Sequence, residues 1–263
     1  MLGNSKDCPK CGALHKSKPF CTYADGFHCF SCGYTKRGDR SFSDSGHKPE
    51  IQLPELSGEV VQNFHEFSLM SKAWLMKFHI NEKHVKNNSI IEVHEHNKVW
   101  LVMPNIDTDG NIIFYQRRLM GERGFVSSGP KKQVYKQNFD NVSIILVEDF
   151  ISYCRVGELF NCVCLFGTSL SNDEASYITR YYDDIYVWLD NDHERENNPG
   201  QKAAKKICKS LEYTLRLNNV NRGFTVRNSR IANIVTKNDP KYYTDTEIKQ
   251  IIAQGGQYDD TEH

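Results

Sequence analysis

The stretch IYVWLDNDHE, residues 185–194, decides how the second half of the chain is interpreted. Its first five residues are all apolar or aromatic, which is typical of a strand buried on both faces. The run then ends abruptly in Asp190, Asp192 and Glu194. Such a row of carboxylates after a buried strand indicates a site rather than a simple turn, provided that the neighbouring segments support it.

Strand-like and helix-like segments alternate on both sides of this stretch. NVSIILVED (141–149) and NCVCLFGTSLS (161–171) resemble buried strands, and a helix-like segment follows each of them. ANIVTK (232–237) and GFTVRN (223–228) could add strands before a last helix at 244–254. Alternation of this kind predicts an α/β domain with a mainly parallel sheet.

Three carboxylates coincide with the ends of these predicted strands. Ligands of open parallel sheets bind outside the carboxyl ends of the strands, where Glu148, Asp190 and Asp192 fall. Asp190 and Asp192 are two residues apart, so in an extended chain they point the same way. Crowded carboxylates repel one another unless a cation neutralises them, and Mg²⁺ prefers oxygen ligands. The alternative is a cluster that caps the following helix.

The N-terminal region contains two CxxC pairs. Cys8 and Cys11 precede Cys29 and Cys32, with seventeen residues between the pairs. Four thiolates at this spacing can enclose one Zn²⁺ tetrahedrally, which predicts a structural zinc ribbon made of short strands. Beside the second pair, His28 and Phe30 are candidate contacts for single-stranded nucleic acid, although a protein-binding role is nearly as well supported. The remaining cysteines are expected to be reduced thiols.

Between these regions we expect a linker and a basic subdomain. The predicted domains are a zinc ribbon at 1–40, a linker rich in Ser, Gly, Asp and Pro at 41–57, a basic α+β subdomain at 58–140 and the α/β domain at 141–263. In the third of these, residues 59–83 have helical periodicity, and two strand-like runs flank the turn DTDG.

The formal net charge is zero, but the charges are segregated along the chain. Residues 116–136 carry one acidic residue, Glu122, among their basic ones, and residues 183–196 carry one basic residue, Arg195, among their acidic ones. This pattern suits a protein that binds phosphates on one side and a divalent metal on the other, or simply two solvated surfaces. With no membrane-spanning run or signal peptide, we expect a cytoplasmic protein.

At these residues the chain resembles the Toprim domain of DnaG-type primases, topoisomerases and some nucleases. The resemblance lies in Glu148 at a strand end, the Asp190-x-Asp192 pair after VWL, and TKNDPKYYT at 236–244. The four-cysteine ribbon and the basic segment select the primases, and the order of the segments resembles the primase half of phage primase-helicases. Family members often have glycine where this chain has Asp149.

The resemblance implies a DNA primase that makes short RNA primers on single-stranded DNA from ribonucleoside triphosphates, in a bacterial or phage-infected cytoplasm. Glu148, Asp190 and Asp192 would be catalytic and, with Asp239, would hold one or two Mg²⁺ or Mn²⁺ ions. Nucleotide and template would be bound by the cations of the basic block and by the ribbon: Arg117, Arg118, Arg123, Lys131, Lys132, His28 and Phe30. The sequence has no G-x-x-x-x-G-K-[ST] loop, so a separate replicative helicase and a DNA polymerase are the expected partners.

Two other functions are compatible with parts of this sequence pattern. A metal-dependent Toprim nuclease would have the same acidic residues, with water in place of the primer hydroxyl. A zinc-ribbon adaptor that recruits replication proteins would need no acidic site at all.

Overall fold

A computed structural model describes residues 56–107, 110–129, 133–136, 142–194, 196, 198–221 and 229–255, together with four short N-terminal strands. The chain divides into two compact units, Met1–Glu50 and Ile51–His263.

The first unit contains an antiparallel sheet in which each strand pairs with the next. Its strands are β1 (Gly3–Ser5), β2 (Phe20–Tyr23), β3 (Gly26–Cys29) and β4 (Thr35–Arg37). The predicted zinc ligands Cys8, Cys11 and Cys32 lie outside the described residues, as do Phe30 and the side chains of Cys29 and His28.

The second unit begins with a five-stranded antiparallel sheet, again in chain order. Its strands are β5 (Glu59–Val61), β6 (Ile91–Glu95), β7 (Lys98–Ile106), β8 (Ile112–Leu119) and β9 (Val126–Ser128). The predicted hairpin is confirmed as β7 and β8, which pair across the turn that follows Ile106.

The continuous helix expected over residues 59–83 is wrong. Residues Glu59–Val61 form β5, and helices α1 (Leu69–Met76) and α2 (Glu82–Asn87) are separate. Between them His79 adopts a left-handed backbone with φ of 57°. The side chain of Asn81 then accepts a hydrogen bond from the backbone N–H of His84 and begins α2. Local capping therefore interrupts a periodicity that the apolar residues alone would continue.

The predicted, mainly parallel sheet is confirmed in the second half of the unit. Its order is β10-β12-β11-β13-β14, and among these pairs only β10 with β12 is antiparallel. The strands are β10 (Val134–Lys136), β11 (Ser143–Val147), β12 (Asn161–Cys164), β13 (Asp184–Trp188) and β14 (Arg230–Asn233). The helices are α3 (Phe150–Val156), α4 (Asn172–Tyr181), α5 (Pro199–Asn221) and α6 (Asp245–Ala253).

The central strands β11 and β13 are buried on both faces because their side chains alternate between two apolar clusters. Ile145 and Val147 pack in the cluster that includes residues of α3 and α6. Ile144 and Leu146 pack in the other, which includes residues of α4 and α5. Burial on both faces explains the continuous apolar runs of these strands.

Among the described helices, none combines the length and the apolar character needed to cross a bilayer.

Candidate active site

The carboxyl ends of β11 and β13 place acidic side chains next to each other. The two strands are parallel neighbours, and Val147 lies opposite Trp188 in their register. Glu148 directly follows β11, and Asp190 comes two residues after β13. Residues that are far apart in sequence thus meet at one edge of the sheet, as expected for a parallel arrangement.

Glu148 is a partly buried carboxyl group with unused hydrogen-bonding capacity. Its Oε2 atom is buried and has no hydrogen-bond partner among the described residues. Burial raises the pKa of Glu148, and the negative charges of Asp149 and Asp192 raise it further. A carboxylate in this environment is suited to bind a cation or to accept a proton.

The two carboxyl oxygens of Asp190 differ in their hydrogen bonding. Its Oδ2 accepts a hydrogen bond of 3.0 Å from the Lys241 ammonium. Its Oδ1 is buried and has no partner among the described residues. Burial, followed by repulsion from Asp149, raises the pKa of Asp190 to about 8 despite the nearby lysine.

Asp149, which stands where the resembling family often has glycine, caps α3. Its Oδ1 accepts hydrogen bonds from the backbone N–H groups of Ile151 at 2.9 Å and Ser152 at 3.0 Å. Its Oδ2 accepts from the Ser152 hydroxyl at 2.8 Å and from Lys241 at 3.1 Å. Burial opposes ionisation of Asp149, but Lys241 and these hydrogen bonds hold its pKa below the ordinary value. Both oxygens are therefore already occupied.

Asp239 reaches the same site from the segment after β14. Its Oδ2 lies 3.0 Å from the Lys241 ammonium, and its Oδ1 accepts a hydrogen bond of 3.0 Å from the backbone N–H of Asn191. Asp239 stands at the cap position of a short 3-10 helix, Pro240–Tyr242, but its side chain makes no capping bond there. It thus connects the loop that carries Asp190 and Asp192 to this 3-10 helix.

The start of α5 packs closely against the loop that follows β13. A Cβ atom on Gly200 would lie 2.1 Å from the backbone oxygen of Asp190 and 3.2 Å from Oδ2 of Asp192. No side chain fits in that space, because real Cβ contacts do not approach backbone atoms so closely. Gly200 therefore allows the helix to support both aspartates.

A groove of about 430 Å³ joins the acidic residues to aromatic and basic side chains. It is lined by Glu148, Asp190 and Lys241 and also by Trp74, Lys77, Arg118 and Phe125. The Arg118 guanidinium lies 5.1 Å from the ring centre of Trp74 and 5.4 Å from that of Phe125. Its Nε atom is buried without a partner in the described part of the chain. Burial lowers the pKa of Arg118, but a guanidinium remains charged.

The other predicted cations are distributed differently. Arg117 is bound to Glu95 at 3.2 Å and lies 4.3 Å from the ring centre of Trp100, so it makes a separate set of contacts. Neighbouring residues of a strand point to opposite faces, which explains why Arg117 and Arg118 diverge. Arg123 is exposed, and Lys131 and Lys132 lie outside the described residues.

Residues 146–226 match the family described as Toprim-like. This segment is similar to Toprim-like domains. The match supports the resemblance noted from the sequence. It includes Glu148, Asp190 and Asp192, whereas TKNDPKYYT at 236–244 lies beyond the matched residues. A comparison with curated proteins found no match to the chain.

Solved structures show that the fold is that of DnaG-type primases. The primase fragment of the bacteriophage T7 primase-helicase aligns with 95% of this chain and 98% of its own, at 17% identity and a TM-score of 0.50. The zinc-binding and RNA polymerase domains of the Aquifex aeolicus primase align with 71% of this chain, at 14% identity and a TM-score of 0.54. The alignment spans 56% of the Aquifex structure. A DnaG primase catalytic domain bound to single-stranded DNA aligns with 72% of this chain, at 12% identity and a TM-score of 0.52.

The residues at the sheet edge fit a divalent cation. Glu148 and Asp190 each have a buried carboxyl oxygen with no partner among the described residues, and burial, followed by the charges of neighbouring carboxylates, raises the pKa of both groups. Within the described residues, however, no three His, Cys, Asp or Glu side chains already converge on one metal position. Lys241 stands among them instead.

Two residues that shape the acidic site, Lys241 and Gly200, were not identified from the sequence. Lys241 lay within the quoted TKNDPKYYT segment, and only its position directly after Asp239-Pro240 could have drawn attention to it. Gly200 follows a proline at the start of a predicted helix, where glycine indicates a turn as readily as a close contact.

Proposed function

We propose that the chain is a DNA primase that synthesises short RNA primers on single-stranded DNA from ribonucleoside triphosphates. The observation that carries this proposal is a pair of buried carboxyl oxygens, one from Glu148 and one from Asp190, that have no hydrogen-bond partner in the described part of the chain, on two residues that line the same groove as Arg118. This arrangement lies in a Toprim-like domain within a primase fold. An acidic site beside a cation-lined groove is what nucleotidyl transfer on a polyanionic template requires.

The reaction is the attack of a 3′-hydroxyl on the α-phosphate of an incoming nucleotide, with release of pyrophosphate. Asp190 and Asp192 would hold one or two Mg²⁺ or Mn²⁺ ions, with Asp239 as a further candidate. When bound, such an ion supplies positive charge to the attacking and leaving oxygens. Glu148 would be a ligand or the base that accepts the hydroxyl proton, a role that its raised pKa supports.

Arg118 would bind phosphate at the groove. Arginine can contact two phosphate oxygens at once, and the Nε of Arg118, which has no partner among the described residues, leaves part of that capacity available. The flanking rings of Trp74 and Phe125 limit its movement. Arg117, Arg123, Lys131 and Lys132 would contribute to the template path beyond the groove, where phosphate contacts add affinity without selecting a sequence.

The first unit would be a zinc ribbon that presents the template. Cys8, Cys11, Cys29 and Cys32 would bind one structural Zn²⁺, and His28 and Phe30 would contact template bases. The proposed partners are a replicative helicase and a DNA polymerase, in the cytoplasm of a bacterium or of a phage-infected cell.

The test is incorporation of a labelled ribonucleotide on single-stranded DNA of mixed sequence with Mg²⁺. Short RNA products that disappear in Asp190→Asn/Asp192→Asn are expected. A matched control is Asp183→Asn/Asp184→Asn, which changes the same number of carboxylates at the opposite end of β13. Products that persist in the first double variant would contradict the assignment of the site. DNA cleavage by the wild type without RNA synthesis, on varied templates and with candidate helicases added, would point to a Toprim nuclease.

A further inference from the structure

Lys241 occupies the centre of the acidic site. Its ammonium lies 3.1 Å from Asp149, 3.0 Å from Asp190 and 3.0 Å from Asp239. The side chain is only 15% exposed, so water screens these contacts weakly. One ammonium has three hydrogens, and here each of them has its own carboxylate.

The backbone, rather than the flexible side chain, fixes the position of Lys241. The next residue, Tyr242, packs against Phe78 with ring centres 5.2 Å apart. Tyr243 packs against Trp188 at the end of β13 at 5.8 Å, and its hydroxyl accepts a hydrogen bond of 3.1 Å from the backbone N–H of Asn238. Contacts on two different elements therefore hold the 3-10 helix, and the ammonium is directed into the site.

The hydrogen bonds of the carboxyl oxygens divide the site into two parts. On the side of Lys241, the Oδ2 atoms of Asp149, Asp190 and Asp239 all accept from the ammonium. On the other side, Oδ1 of Asp190 and Oε2 of Glu148 have no partner in the described part of the chain. The Lys241 ammonium therefore neutralises one part of the acidic cluster, whereas the part formed by Glu148 and Oδ1 of Asp190 has no cation among the described residues.

We infer that Lys241 is a positioning residue that acts as an internal cation: it holds Asp149, Asp190 and Asp239 and closes this part of the site to a divalent ion. Divalent ions then bind on the side of Glu148, Asp192 and the Oδ1 atom of Asp190, and Asp239, the further candidate named above, binds Lys241 in place of a metal ion. This inference rests on the proposed metal-binding role of the acidic residues and adds that the protein itself limits how many ions they take.

The experiment counts Mn²⁺ ions bound to the full-length chain, by electron paramagnetic resonance of free Mn²⁺ at increasing total concentration. Neither nucleotide nor template is present, so the result does not depend on primase activity. The variants are Lys241→Met, which keeps the length of the side chain without its charge, and Lys241→Arg, which keeps the charge. Lys249→Met removes an exposed lysine from α6 and serves as the matched control. Asp190→Asn/Asp192→Asn gives the background from other sites.

Lys241→Met is expected to bind one more Mn²⁺ per chain than the wild type, whereas Lys241→Arg and Lys249→Met bind the wild-type number. Without metal, Lys241→Met should also melt at a lower temperature than the wild type, because three carboxylates lose their counter-ion, and added Mn²⁺ should abolish this difference. An unchanged number of ions in a folded Lys241→Met protein would overturn the inference. So would loss of Mn²⁺ binding in that variant, since Lys241 would then be needed for the metal rather than exclude it.

If Lys241→Met does not fold without metal, the same count is made on protein refolded with Mn²⁺ and equilibrated by dialysis at a fixed concentration of free Mn²⁺. Lys241→Arg gives an independent check. A guanidinium is larger than an ammonium and remains charged, so this variant must not gain an ion. An additional ion in Lys241→Arg would contradict the exclusion of metal by charge.

Discussion

The side chain of Glu148 shows how the requirements of chemistry and of stability conflict at a single residue. Its pKa is raised by burial and by Asp149 and Asp192, so ionising it costs free energy in the folded state. The unfolded chain ionises this group freely above the ordinary value of 4.5. In the absence of metal, Glu148 therefore lowers the stability of the protein as the pH rises above that value.

We expect Glu148→Gln to make the metal-free protein more stable at pH 8, by about 0.5–2 kcal/mol, because the amide carries no charge. Primer synthesis should fall by at least about a hundredfold, as expected when a base or a metal ligand is lost. Thermal denaturation between pH 5 and about 8 checks the first effect, and the difference from wild type should grow with pH. Glu194→Gln, on the exposed part of the loop after β13, should change neither property. A less stable Glu148→Gln protein would refute this account of the residue.

At the scale of elements, the position of α5 depends on the absence of a side chain at Gly200. The helix begins at Pro199, and the next residue lies against the backbone oxygen of Asp190. The loop after β13 is thus held between a helix start on one side and Asp239 on the other. The two aspartates of this loop owe their positions to backbone contacts as much as to their own hydrogen bonds.

Gly200→Ala should displace the start of α5 or the loop, because the added Cβ would lie 2.1 Å from a backbone atom. Overpacking of this kind typically costs about 1–3 kcal/mol, and alanine's better helix propensity offsets only part of it. We expect a lower melting temperature together with a loss of primer synthesis larger than the loss of folded protein. Lys202→Ala, at an exposed position of the same helix, is the matched control. Full activity in Gly200→Ala would show that the loop tolerates a shifted helix.

Sequence patterns identified some elements better than others, for physical reasons. β11 and β13 were predictable because burial on both faces leaves a continuous apolar run. The opposite placement of Arg117 and Arg118 was also implicit, since strand residues alternate between faces, but a block of cations conceals which of them faces the site. The break between α1 and α2 was missed because it depends on a left-handed residue, His79, and a capping asparagine. Such local conformations leave little trace in apolar periodicity.

At the scale of the whole molecule, the cysteines form two populations. Cys154, Cys162, Cys164 and Cys208 are buried in the second unit, and burial raises the pKa of each thiol. Thiolate is the form that binds metal, so these four are poor ligands. The CxxC cysteines of the first unit remain the candidates for zinc.

We expect the full-length chain to contain about one Zn²⁺, as a four-cysteine site implies. Cys8→Ser/Cys11→Ser should abolish the bound zinc, because removing two ligands opens the tetrahedral shell. Cys162→Ser/Cys164→Ser should leave the zinc content unchanged, even if it destabilises the sheet. Elemental analysis of the purified proteins measures the metal directly. Loss of zinc from Cys162→Ser/Cys164→Ser, rather than from Cys8→Ser/Cys11→Ser, would contradict the predicted ribbon.

The positions of the site residues along the whole chain explain which part of the acidic site could be inferred from the sequence. The strand ends supplied Glu148, Asp190 and Asp192 as candidates, because a parallel sheet brings its carboxyl ends together. The lysine at their centre arrives from a segment some fifty residues further on, and no periodicity connects it to them. The pairing of β14 with β13, together with the contacts of Asp239, Tyr242 and Tyr243, brings that segment to the site.

This order of segments has a consequence for the protein as it is synthesised. A ribosome releases Glu148 and Asp190 well before Lys241, and the strand that carries Lys241 to them, β14, emerges after the long helix α5. During translation the growing chain therefore exposes a set of carboxylates without their counter-ion, and the sheet edge cannot close around them until β14 docks. If these carboxylates bind Mg²⁺ as proposed, the ion can therefore reach them during synthesis before Lys241 does.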